Sequence, residues 1–325
     1  MNRFDYKRAN SPEQATTLLA DSTGSKVIAG GTDLLPLMKE GIVQPAQLVD
    51  ISLWTNGSEI RQLGEETQIG ARVSLSELAR NPQIVENYTA LADACRLAAA
   101  PQLRNMGTIG GNLLQATRCA YFRGTYDCWL KGGEQCFARS GENEQHSIFL
   151  TAPDQSKCVS AHPSDPAAAL LALNALVRYQ TVAGASEVAL ADFYVLPTDE
   201  HRSMVAIPPD AVITSILLPV GPERSIYRKA MPRATWSFAL AGVALALDLD
   251  GGNILGARLA LSGVAPIPIR IERVEQAMRG QSLAHLHDEE LAHLLVQGAQ
   301  PLTQNVYKVE LLAGLFKEVL REVKA

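Results

Sequence analysis

Val27-Ile28-Ala29-Gly30-Gly31-Thr32-Asp33-Leu34-Leu35-Pro36-Leu37-Met38-Lys39 runs from an apolar strand through two glycines into an apolar helical pattern. Glycine reaches positive φ and lets an anion approach the backbone amides with no Cβ in the way. The amides of Gly30, Gly31, Thr32 and Asp33 are therefore placed to meet a phosphate at a helix N-terminus. Asp33 reads as a cap of that helix together with Thr32, because its charge would repel a phosphate. A plain strand-to-helix turn accounts for the same residues when they are taken alone. Neither Gly-x-Gly-x-x-Gly nor Gly-x4-Gly-Lys-Ser/Thr occurs in the chain, which rules out the usual dinucleotide fingerprint and the P-loop.

A second turn, Met106-Gly107-Thr108-Ile109-Gly110-Gly111-Asn112-Leu113-Leu114, repeats this chemistry. A third segment, His162-Pro163-Ser164-Asp165-Pro166, opens a helix, with Ser164 as cap and Pro166 early in the first turn. Together the three suggest a dinucleotide gripped from several sides. Asp165 reads either as part of the cap or as a partner for sugar hydroxyls or a ring N–H.

Around these turns the chain reads as strand and helix units. Ser11 and Pro12 start a helix. Leu48–Ile51 is a buried strand, and EIRQL and TQIGARV flank a Gly-Glu-Glu turn. Ser74 and Glu77 form a capping box ahead of one long Ala/Leu helix ending near Pro101. Ala175–Tyr179, Val188–Phe193 and Ala211–Pro219 read as strands, and Glu200–Pro209 as a loop. Asp250-Gly251-Gly252-Asn253 joins strands Phe238–Leu249 and Ala257–Val264. Val309, Leu312, Phe316, Val319, Leu320 and Val323 mark one face of a final helix. With 325 residues, 47% apolar and 19% charged, the chain predicts a well-packed protein of two or three domains. A net charge of −5 with no clustered Lys and Arg excludes a nucleic-acid surface. No apolar run is long enough to span a membrane, and the N-terminus lacks the core of a signal peptide, so a cytoplasmic location is expected.

Four of the five cysteines, Cys119, Cys128, Cys136 and Cys158, fall in one window with eight, seven and 21 residues between them. Cys95, within an apolar helical pattern, reads as packing. A reducing cytosol argues against disulfides. An iron–sulfur cluster, a zinc ion and ordinary free thiols all remain open, although no Cys-x2-Cys pair of a compact zinc ribbon occurs. His146 and His162 bracket the window and read as satisfied loop histidines. A zinc-stapled scaffold protein and a self-contained oxidase are the competing functional readings.

AGGTDLL, TIGGNLLQ, HPSD and Tyr227-Arg228-Lys229, in this order, resemble the FAD-binding medium subunit of the molybdenum hydroxylases over nearly the whole chain. The resemblance implies an α+β fold: a p-cresol methylhydroxylase-type FAD-binding domain over 1–221, then a C-terminal α/β domain over 222–325. In most of the family the TIGGN turn and the Ser-Asp pair lie close together in sequence; here an insertion, about 113–163, carries all four clustered cysteines. It is similar to the subset with an extra 4Fe–4S cluster, the aldehyde oxidoreductase flavin subunit and the 4-hydroxybenzoyl-CoA reductase β subunit. The flanking residues are nearer the former, and the cysteine gaps differ from those of the latter. By this resemblance Ala29, Gly30, Gly31, Thr32, Asp33 and Leu34 surround the FAD pyrophosphate, and Thr108, Gly111 and Asn112 form a second wall. Asp165 reaches the adenosine ribose or nearby polar groups, and Lys229 matches a lysine near the flavin, or else is a solvated strand-end lysine. Arg233 and Trp236 are further candidates. Cys119, Cys128, Cys136 and Cys158 become ligands of a 4Fe–4S cluster. The implied partners are a molybdopterin large subunit, a small subunit with two 2Fe–2S clusters and a small-molecule electron acceptor. In such a complex a partner's twin-arginine signal could carry the chain to the periplasm.

Overall fold

The computed structural model describes residues 2–325. It begins with β1 (Asp5–Arg8), α1 (Pro12–Ala20), β2 (Lys26–Ile28), α2 (Leu34–Lys39) and β3 (Gln47–Asp50). Helical crossovers between successive strands let all of them run parallel, in the order β1-β3-β2. Ser11 Oγ accepts from the Gln14 amide at 3.2 Å, with Pro12 at the first helical position, as expected.

The second unit contains β4 (Ile60–Leu63), β5 (Glu66–Gly70), α3 (Leu75–Leu78), α4 (Pro82–Asn87), α5 (Thr89–Leu97), α6 (Pro101–Met106), α7 (Ile109–Leu113), α8 (Ala120–Arg123), α9 (Asp165–Ala172), β6 (Leu176–Thr181), β7 (Gly184–Ala189), α10 (Leu190–Phe193) and β8 (Val212–Leu218). Its strands form an antiparallel sheet in the order β4-β5-β8-β6-β7. The expected long Ala/Leu helix is instead α3, α4 and α5. Asn81 accepts from the Ile84 amide at 3.2 Å and Pro82 restarts the helix, while Tyr88 leaves helical dihedrals. The strand expected over Val188–Phe193 stops at Ala189, because Leu190 and Phe193 bury together on one short helical face.

The last unit is β9 (Arg224–Ala230), β10 (Ala241–Asp250), β11 (Asn253–Ser262), β12 (Ile269–Arg270), α11 (Glu272–Met278), α12 (Asp288–Val296) and α13 (Tyr307–Lys324), with an antiparallel sheet in the order β12-β11-β10-β9. Gly251 and Gly252 supply the two positive φ angles of the β10–β11 turn, 54° and 85°. Strand β10 is buried on both faces. Ala244 and Ala246 join the core of α5 and α9, whereas Val243, Leu245 and Leu247 join that of α11, α12 and α13. Alanines on one face let helices approach the sheet closely, and so the two halves of the chain share packing.

Between α7 and α9 runs an extended segment with α8 as its one α-helix among the described residues. Its ends meet where Ser164 Oγ donates to Asn112 Oδ1 at 2.5 Å. Its middle is docked on the last unit. The amides of Ile148 and Phe149 both donate to the Val264 carbonyl, at 2.8 and 3.0 Å, and that of His162 donates to Ala265 at 2.8 Å. Ile148 is buried in the α11–α13 core. No helix among the described residues is long and apolar enough to cross a membrane.

The two glycine turns touch backbone to backbone: a Cβ on Gly30 would overlap the Met106 carbonyl. Gly30→Ala should therefore lower the urea midpoint by the equivalent of about 1–3 kcal/mol. Gly314 lies exposed in α13 with nothing near a Cβ, and Gly314→Ala should raise it by about 0.5–1 kcal/mol. The same sign for both substitutions would show that the close approach does not matter.

Candidate functional site

A cavity of about 790 Å³ opens between the carboxyl end of β2, the α7 turn, the start of α9 and the segment leading into β8. It lies in the size range of small-molecule and cofactor sites. Ala29, Gly30, Gly31, Thr32, Asp33 and Leu34 line one wall, and Thr108, Gly111, Asn112 and Asp165 line others. Gly31 has φ 67°. The amides of Gly30, Gly31, Thr32 and Asp33 donate to no backbone acceptor among the described residues, and all four residues line the cavity. Successive unpaired amides of this kind form an anion nest, so the turn fits a pyrophosphate. Opposite, Thr108 Oγ1 accepts from the Gly111 amide at 3.3 Å, which fixes the second turn.

Asp33 does not cap α2: its side chain makes no cap bond. Its carboxylate instead accepts from the Ala116 amide at 2.8 Å, Arg118 Nη1 at 2.7 Å and Arg123 Nη2 at 2.8 Å. The expected repulsion from a phosphate is thus resolved by two guanidiniums rather than by a cap. Arg118 also lines the cavity, 4.8 Å from the centroid of Phe238, and burial pushes its pKa down.

Ser164 caps α9, accepting from the Ala167 amide at 3.0 Å. Asp165 has one donor on each carboxylate oxygen. Tyr227 Oη donates to Oδ1 at 2.6 Å and Lys229 Nζ to Oδ2 at 2.7 Å, with side-chain exposures of 0% for Lys229 and 4% for Asp165. Burial, and then the Asp165 charge, push the Tyr227 phenol well above its usual range, so it stays a donor. Lys229 is therefore no solvated strand-end lysine. Nor does it line the cavity; it stands behind Asp165 and also donates to the Ser237 carbonyl at 2.9 Å. Trp236 and Phe238 form an exposed aromatic rim, and Arg233 lies 5.1 Å from the Trp236 ring. Sequence reasoning did not single out Arg118, Arg123 or Phe238. The one available signal was the pair of arginines on either side of Cys119.

Cys119, Cys128, Cys136 and Cys158 are all unpaired, with Cys128 and Cys158 buried. Burial raises the Cys119 thiol to about 11 and the Cys158 thiol to about 12, and both feel the charge of neighbouring cysteines of this set. His146 Nε2 lies 3.3 Å from Cys119 Sγ. Among the described residues no three or more His, Cys, Asp or Glu side chains are grouped to hold a metal ion. No metal site, for a zinc ion or for an iron–sulfur cluster, is preformed among the described residues. Cys95 is fully buried in the helical core, away from the loop, as expected.

Residues 2–221 match the family described as the FAD binding domain in molybdopterin dehydrogenase, and residues 226–323 match the CO dehydrogenase flavoprotein C-terminal domain. The chain belongs to this family. It is 36% identical over its whole length to the aldehyde oxidoreductase FAD-binding subunit PaoB of Escherichia coli K12, 99% of which is covered. It is 27% identical to the carbon monoxide dehydrogenase medium chain of Hydrogenophaga pseudoflava, over 86% of this chain and 81% of that one. A solved carbon monoxide dehydrogenase of the same organism superposes with a TM-score of 0.76 at 25% identity, covering 98% of this chain and 96% of that one. Reconstituted CO dehydrogenase from Oligotropha carboxidovorans shares the fold, with a TM-score of 0.78 at 23% identity over 99% of this chain and 98% of that one. The chain is thus an FAD-binding flavoprotein subunit of an oxidoreductase complex, with the mixed helix and sheet fold that the family resemblance implied.

Two predictions concern how the flavoprotein keeps its cavity in shape. Lys229→Met leaves the Asp165 carboxylate buried without its cation and should cost about 3–5 kcal/mol of unfolding free energy. Asp165→Asn/Lys229→Met together should restore most of it; two losses that simply add would show the pair to be uncoupled. His162 is buried and neutral, its pKa pushed down by desolvation from 6.5 to about 3. The unfolded state then binds the extra proton as pH falls below 6.5. His162 accordingly contributes stability that is complete above that pH and is lost toward pH 3, at about 1.4 kcal/mol per pH unit. His162→Asn, which keeps an acceptor for the Ser164 amide, should flatten this acid limb of the melting profile. An unchanged slope would count against a buried neutral imidazole.

Proposed function

We propose that this chain is the FAD and 4Fe–4S electron-transfer subunit of a heterotrimeric molybdenum-cofactor oxidoreductase of the aldehyde oxidoreductase type. Its partners in this reading are a molybdopterin-binding large subunit and a small subunit with two 2Fe–2S clusters, with a small-molecule electron acceptor outside the complex. The reading divides the chain at 221/222, with the cluster in the loop 113–163. The observation that carries it is the placement of the cysteines. The 51-residue segment 113–163, which carries all four, leaves the cavity wall at Asn112 and returns to it at Ser164-Asp165, so the cysteine segment is tethered at both ends beside the cavity. Further support comes from the 36% identity to an aldehyde oxidoreductase FAD-binding subunit.

Ala29, Gly30, Gly31, Thr32, Asp33 and Leu34 would hold the FAD pyrophosphate through the free amides of their turn. Thr108, Gly111 and Asn112 would close the opposite side. Asp165, oriented by Tyr227 and Lys229, would accept from sugar hydroxyls or a ring N–H at the cavity wall. Lys229 acts through Asp165 in this arrangement. Bound FAD supplies the exchange between one- and two-electron steps, while the protein sets its position and access. Cys119, Cys128, Cys136 and Cys158 would ligate the cluster as thiolates. One thiolate per iron would match the four cysteines of the loop to the four irons of such a cluster.

Metal and flavin analysis of the co-purified complex tests this reading. The chain should carry about four irons and one flavin, and Cys136→Ser should lower iron well below that while FAD stays bound. Unchanged iron removes Cys136 from the ligand set. A colourless chain with stoichiometric zinc would favour a zinc-stapled scaffold and sink the proposal.

A further inference from the structure

Asp33 places a carboxylate in the turn that should receive a pyrophosphate. Every contact to it comes from one short piece of the cysteine loop, residues 116–123, on both sides of Cys119. The Ala116 amide donates to Oδ2 at 2.8 Å, while Arg118 Nη1 and Arg123 Nη2 reach Oδ1 at 2.7 and 2.8 Å. Arg123 also binds its own segment, donating through Nε to the Thr117 carbonyl at 2.8 Å and through Nη2 to that of Ala116 at 3.1 Å. Arg118 holds Gln115 Oε1 at 3.0 Å, and its buried Nε has no acceptor among the described residues.

The sign of the electrostatics depends on whether this segment is in place. With 116–123 folded against the turn, two guanidiniums stand beside one carboxylate and the wall facing the anion is net positive. With the segment loose, the carboxylate alone faces the same anion, and like charges at short range repel. The loop therefore decides whether the nest attracts or resists a phosphate. An anion in the nest in turn favours the state in which the guanidiniums are present.

We propose that Asp33, clasped by Arg118 and Arg123, is a latch through which FAD binding and the folding of the cysteine loop strengthen each other. The proposal rests on the assignment of the cavity to FAD and, for its metal arm, of the loop to a cluster. Asp33 is a positioning residue here, acting through the arginines. Because coupling between two sites is reciprocal, loss of the metal must weaken FAD binding by the same factor by which loss of FAD weakens metal binding.

The test uses the full chain and two readouts. The first is FAD affinity from flavin fluorescence, with iron bound and after its removal by a chelator. The second is hydrogen exchange of the amides of 116–123 with and without FAD. In the parent, iron removal should weaken FAD about tenfold, a typical coupling, and FAD should slow exchange of the segment. In Asp33→Asn both effects should largely vanish, because neither the clasp nor the repelling charge remains, and Arg123→Gln should reduce the protection in the same way. The proposal is overturned if Asp33→Asn keeps the parent's affinity ratio and the parent's protection. A chain that never binds iron sinks the cluster assignment instead, and the exchange experiment then decides the latch alone.

Discussion

The buried ion pair between Asp165 and Lys229 holds the rest of the arrangement in place. Asp165 opens α9 and faces the cavity, whereas Lys229 and Tyr227 belong to β9 of the last unit. One carboxylate therefore joins the helix that closes the cofactor cavity to the sheet of the following domain. Desolvating both charges is costly, and the interaction is favourable overall only because each oxygen has a close donor. Sheet β9–β12 then serves both halves, with small residues of β10 turned toward α5 and α9 and large ones toward α11, α12 and α13.

The cavity contains two aspartates, Asp33 and Asp165, and both have been taken out of competition with an anion. Arginines from the cysteine loop hold the first, and a lysine and a tyrosine from β9 hold the second. Their neutralisation leaves the free amides of the first glycine turn as the uncompensated dipoles of the wall. The site is thus anion-seeking despite a net charge of −5 for the chain.

Local signals were the legible part of the sequence. Ser11, Ser74 and Ser164 cap helices where their spacing indicated, and the Gly251-Gly252 turn forms as its residues require. The glycine turns and the α13 stripe also stand where they were read. What could not be read was anything decided by partners distant in sequence. Asp33 looked like a cap because its arginine partners lie 85 and 90 positions away. The long Ala/Leu helix is an exception of another kind: it breaks at Asn81-Pro82, a local cap signal that stands in the sequence between two Ala/Leu stretches. For Lys229 a lysine near the flavin and a solvated strand-end lysine both stood open, because strand periodicity does not reveal that Asp165 will be buried against it.

Lys308 gives the cysteine loop a further meaning. Its ammonium is fully buried, and it donates to the carbonyls of His146 and Gly263 at 2.8 and 2.6 Å, with no carboxylate beside it. Burial lowers its pKa to about 7. The two ends of the segment lie side by side, joined by the Asn112 and Ser164 side chains. Cutting it out would nevertheless strip Lys308 of an acceptor, leave the Val264 carbonyl bare and open the α11–α13 core where Ile148 packs. An insertion that could have entered as a self-contained cassette has become a structural dependency of the domain beside it. The domain needs the loop whether or not the loop holds a metal.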